Sequence, residues 1–125
     1  MYNAKEFVQG LVDEYNVLIK GKDIQGVIDL HTSDALVAPF FPPFTPNTFF
    51  SKGTKDFDNF FITFAKSLED VEFYTTEEVV QQGCILHEIG IAVPVGIRYY
   101  NRWAKEGGRW KIQYENPLFQ PPQQN

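Results

Sequence analysis

The sequence predicts an α+β domain in which an antiparallel sheet curls around helices. Three observations carry that prediction. Apolar residues recur at helical spacing near the start of the chain and again between residues 54 and 68. The period then changes to two, and the stretch 96–116 reads as two alternating strands joined by Gly107-Gly108. Finally, a chain of 125 residues suits one domain, here 1–119 with a frayed Pro/Gln tail at 120–125.

Taken in order, Phe7, Val8, Leu11, Val12, Tyr15, Leu18 and Ile19 form one apolar stripe, and Gly21 sits where that helix would end. The first helix is expected over about 3–20, with Tyr15 its one polar-tipped buried residue. Asp23 can cap a short second helix whose inner side carries Ile24, Val27, Ile28 and His31. A strand follows from Ala35 to Pro39. The prolines of the Phe-rich loop 40–50 forbid a helix interior or a central strand. Such a loop is either a lid over an apolar opening or an exposed contact surface.

Thr54 is a good cap for a third helix over 54–68, with Phe57, Phe60, Phe61, Phe64 and Leu68 on its apolar face. Strands are then expected over about 71–80 and 84–93, with Pro94 marking an edge or bend. In the closing hairpin Ile97, Tyr99, Asn101 and Trp103 share one face. On its return strand Trp110, Ile112 and Tyr114 should look inward, while Arg109, Lys111, Gln113 and Glu115 face out.

Composition narrows function by exclusion. A net charge of −5 argues against a nucleic-acid partner and against an anionic membrane surface. No uninterrupted apolar run approaches the ~20 residues needed to cross a bilayer. Cys84 is the only cysteine, so no intrachain disulfide forms, and a free cysteine is most often a small buried hydrophobe. With no apolar run of a cleavable signal in Met1–Phe7, a cytoplasmic location is expected. Two histidines and one cysteine occur without zinc-ligand spacing, and no glycine-rich phosphate cradle precedes a helix, so neither metal nor cofactor is expected. Twelve phenylalanines imply a very aromatic core or a ring-lined cavity.

The order of elements resembles the nuclear transport factor 2-like superfamily, and more closely its SnoaL-like and ketosteroid-isomerase-like branch. The matching pieces are Tyr15 through Asp23, Asp29-Leu-His-Thr-Ser-Asp-Ala35, Gly53, Leu86-His-Glu-Ile-Gly90 and Arg102-Trp…Gly108-Arg-Trp-Lys-Ile112. The resemblance implies a cone-shaped sheet wrapped against three helices, with an apolar pocket at its wide end. It also implies a homodimer joined through the outer face of the sheet.

Three residues are candidate catalytic groups. Tyr15 falls where the resemblance places a phenol that donates to a developing enolate oxygen; the alternative is a core tyrosine bonded to a backbone carbonyl. The general-base position of the isomerases falls at Ala38 or Pro39, and neither takes a proton. His31 is either an acid–base group or a satisfied histidine at a helix end. Glu88 should point inward with Leu86 and Gly90, as an acid–base carboxyl or as an ion-pair partner of Arg98 or Arg102. The expected ligand is a small, mostly apolar molecule walled by Phe40, Phe41, Phe57, Phe61, Tyr99, Trp110 and Tyr114. Cofactor-free isomerase or lyase chemistry would suit such a site. The alternative is a non-catalytic dimeric interaction module that uses loop 40–50.

Overall fold

A computed structural model describes residues 2–39 and 48–117. Phe40, Phe41, most of the loop 40–50 and the whole 120–125 tail therefore lie outside the described residues. Helix α1 spans Ala4–Lys20, with the Asn3 side chain accepting from Glu6 N and Val8, Val12, Tyr15 and Ile19 buried. Helix α2, Ile24–Asp29, is capped by Asp23 and is shorter than the sequence suggests. His31 is not a helical residue. It opens strand β1, His31–Val37, yet stays fully buried. Strand β2, Phe50–Ser51, is too short to show a period, and the sequence reading omits it. Helix α3, Lys55–Lys66, is capped by Thr54 and buries Phe57, Phe60, Phe61 and Phe64.

Four long strands follow: β3 Phe73–Gln82, β4 Ile85–Val93, β5 Ile97–Glu106 and β6 Arg109–Asn116. They join β1 and β2 in one curved six-stranded sheet of order β2-β1-β6-β5-β4-β3. Every pair is antiparallel except β1 and β6, which run parallel. The first and last described strands therefore meet in the middle of the sheet.

Helix α1 is fastened to the edge strand β3 by two amides. Asn16 donates to Tyr74 O at 2.9 Å and accepts from Tyr74 N at 2.7 Å, while Gln9 Oε1 accepts from Thr76 N at 2.7 Å. These bonds satisfy backbone groups that an open edge would leave bare. No described helix is long and apolar enough to cross a membrane. Cys84 is exposed rather than buried, because it falls in the turn between β3 and β4.

One irregularity decides which residues face the helices. Along β5 and β6, Trp103 pairs with Ile112 and Arg102 pairs with Tyr114, so Gln113 is an extra residue in the ladder. Before this β-bulge the alternation runs as the sequence suggests, with Ile112 buried. After it the faces exchange. Tyr114 lies outside, with the Arg102 guanidinium 5.6 Å from its ring centroid, and Glu115 turns inward and is buried. The expectation that Tyr114 lines the interior is corrected by this single residue.

Candidate functional site

Glu115 is the centre of a buried chain of hydrogen bonds. His31 Nε2 lies 2.9 Å from Glu115 Oε1, and the Tyr15 hydroxyl donates to Oε2 at 2.9 Å. His31 Nδ1 lies 2.8 Å from Val27 O. A carbonyl oxygen can only accept, so Nδ1 carries a hydrogen and the tautomer is fixed. The Nε2···Oε1 contact then needs a proton of its own, since a lone pair facing a carboxylate oxygen would be repelled. That proton resides on nitrogen, giving an imidazolium–carboxylate pair, or on oxygen, giving two neutral groups. Either way the pair holds one shared proton. Phe57 and Phe61 pack on His31 with ring centroids 5.4 and 4.9 Å away, shielding it.

Tyr15 is held in its protonated form. Burial first, and the Glu115 charge second, push its hydroxyl pKa well above 10. Its proton is already committed to Glu115.

Glu88 occupies a second buried site on β4, two strands along the sheet from Glu115. It is fully enclosed and pairs with Asn101 in the ladder, so Tyr99 and Trp103 flank it on the same face. Four donors converge on it. The Thr76 and Tyr99 hydroxyls reach Oε2 at 2.8 and 2.6 Å, and Trp103 Nε1 and Asn101 Nδ2 reach Oε1 at 2.9 and 3.4 Å. Burial raises its pKa above the usual 4.5, against the pull of these four bonds. Neither candidate arginine reaches it, because Arg98 pairs with Glu77 and Arg102 binds Gln113. Gly90 permits this cluster, since a Cβ there would come within 2.3 Å of the Tyr99 hydroxyl.

Beside Glu115 lies a cavity of about 20 Å³, room for one water-sized group. The rings of Tyr15, Phe64, Tyr74, Tyr99 and Trp103 line it. Its wall also includes Val12, Asn101 and Glu115, with Pro117. Asn101 is 6 % exposed, and its Oδ1 has no hydrogen-bond partner among the described residues.

The structure brings Tyr15, His31 and Tyr99 to this region and adds Glu115 and Asn101, which the sequence reading did not single out as site residues. Phe57 and Phe61 stand behind His31 rather than on the cavity wall. Trp110 is half-buried against Phe7 of α1, with Lys105 Nζ 5.7 Å from its ring centroid. Among the described residues no three His, Cys, Asp or Glu side chains are grouped to hold a metal ion.

No protein-family profile matches the chain, and no curated protein does. Solved structures do. A protein of unknown function from Silicibacter pomeroyi, described as nuclear transport factor 2-like, matches at 16% identity and TM-score 0.61, covering 93% of this chain and 97% of its own. The fold is nuclear transport factor 2-like. A second such protein of unknown function, from Pseudomonas putida, matches at 13% identity and TM-score 0.56, with 90% and 84% covered. A protein from Xanthomonas campestris, proposed to be a calcium/calmodulin-dependent protein kinase II association domain, matches at 17% identity and TM-score 0.66, with 97% and 90% covered. At these identities the likeness is one of fold. Within that nuclear transport factor 2-like frame, the side chains of this chain alone define the site.

Proposed function

We propose that the protein binds a small, mostly apolar molecule whose polar end meets the Tyr15–Glu115–His31 chain. The observation that carries this reading is a buried, proton-sharing carboxylate–imidazole pair at the wall of a ring-lined cavity. A buried titratable pair beside a cavity is a candidate functional site. The shared proton also suits cofactor-free acid–base chemistry such as isomerisation or dehydration, with Glu115 as the group nearest the ligand. In this reading Glu88 orients Asn101, Tyr99 and Trp103, because its four donors leave it little capacity to exchange a proton. The position where the isomerase resemblance expects a base falls at Ala38 or Pro39, and the Ala38 N–H donates to the Glu115 backbone O. A carboxylate is thus supplied from the neighbouring strand. The lone cysteine fits a cytoplasmic setting.

A thermal-shift screen of small cyclic ketones, alcohols and amines tests this. At least one compound should stabilise the wild type saturably and fail with Val12→Leu, which adds a methylene to the cavity wall. A screen without any such compound removes the binding reading.

A dimer is favoured by a separate observation. On the outer face of the sheet His87 stacks on Tyr100, Tyr100 meets Tyr114 at 5.8 Å and Tyr114 meets Phe49 at 5.9 Å. Such a band of rings suits an isologous contact between two copies. Sedimentation equilibrium should give twice the chain mass, and the monomer for Tyr114→Glu.

A further inference from the structure

Resting on the ligand-binding reading above, we infer that the cavity selects ligands that end in a primary ammonium group. The argument begins with what the polar wall offers. Asn101 Nδ2 is turned to Glu88 Oε1, and flipping the amide would set Oδ1 against that carboxylate. What remains unpaired is therefore an acceptor, Oδ1, nine-tenths buried. Leaning on an acidic group also polarises the amide and makes its oxygen a better acceptor.

Glu115 presents a second acceptor. Each of its oxygens takes one hydrogen bond, from His31 or Tyr15, and each keeps a further lone pair. The donors around the cavity are already committed. Tyr15 gives its hydrogen to Glu115, and Tyr99 and Trp103 give theirs to Glu88. Tyr74, the remaining hydroxyl on the wall, can accept as readily as it donates. No lysine or arginine is among the described lining residues. A carboxylate head would thus meet acceptors with no lysine or arginine on the wall to balance it.

A cation meets the reverse. It gains charge-assisted hydrogen bonds from Oδ1 and the Glu115 carboxylate, and the rings around it attract positive charge through their quadrupoles. Size then selects among cations. About 20 Å³ admits a head group no larger than a water molecule, which an ammonium is and a trimethylammonium is not.

The test is a nuclear magnetic resonance titration of the full chain with four probes that each carry a four-carbon chain, namely butylammonium, 1-butanol, butyrate and butyltrimethylammonium, and with toluene. Butylammonium should saturably shift the Trp103 indole N–H and the Asn101 side-chain amide, with affinity about ten-fold above that of 1-butanol. Butyrate and butyltrimethylammonium should give no saturable shift. Glu115→Gln, which keeps the shape of the wall, should lower the butylammonium affinity by about ten-fold. Equal binding of 1-butanol and butylammonium overturns the inference, as does tighter binding of butyrate, and both leave a small-molecule site standing. Toluene binding alone would have the same meaning. Shifts from none of the five probes would reject the site and the inference together.

Discussion

Glu115 bridges two residues that lie 84 and 100 positions away in the chain. What replaces it decides what is lost. In Glu115→Ala, His31 and Tyr15 each lose a buried partner, and unfolding by urea should show a loss of about 3–5 kcal/mol. In Glu115→Gln the amide nitrogen can donate to His31 Nε2 while the amide oxygen accepts from Tyr15. That variant should stay within about 1 kcal/mol of the wild type, having lost only the charge and the shared proton. A comparable loss in both variants would mean that the negative charge itself, and not the hydrogen bonding, holds the cluster together. Glu88 makes a second prediction, in pH. Its pKa is raised above 4.5 in the folded chain, so the folded state holds its proton more tightly than the unfolded one. The stability this supplies is fully present below about pH 4.5 and fades as pH rises through the folded pKa. Wild-type stability measured relative to Glu88→Gln should therefore fall with rising pH over that window. A flat difference would show that the four donors cancel the burial penalty.

At the scale of elements, the helices and the order of strands were legible because their periods are long and their caps unambiguous. Asp23 and Thr54 each cap the helix that the stripe behind them indicates. His31 was misread because α2 is only six residues long, too short for a period to mark its end. Glu115 was hidden for a different reason. Strict alternation carries Ile112 and Tyr114 to one face, and neither glycine nor proline announces the bulge at Gln113. The legible hint was Asn101, a polar side chain set between Tyr99 and Trp103 on an inward face. Deletion of Gln113 tests the role of the bulge. Removing the extra residue leaves a regular ladder with Ile112 inward, Tyr114 outward and Glu115 inward, so butylammonium binding should be kept. Loss of binding would show that the bulge sets the position of Glu115 and not merely its face.

On the scale of the whole molecule, the site draws Tyr15 from α1, His31 from β1 and Glu115 from β6, while Asn101 comes from the strand next to β6. The strands that join the two ends of this set run parallel, and a parallel pair cannot form from a local turn. Its backbone bonds, Ile112 N to Leu30 O and Ala38 N to Glu115 O, close loops spanning most of the chain. Loop closure of that length is an entropic cost that no local contact offsets. The cavity is therefore a product of completed assembly: a nascent chain still lacking β6 can have α1, α2 and α3 in place and yet hold no binding site. Any ligand of this cavity binds only the assembled fold, drawing the chain away from its partly folded forms by mass action.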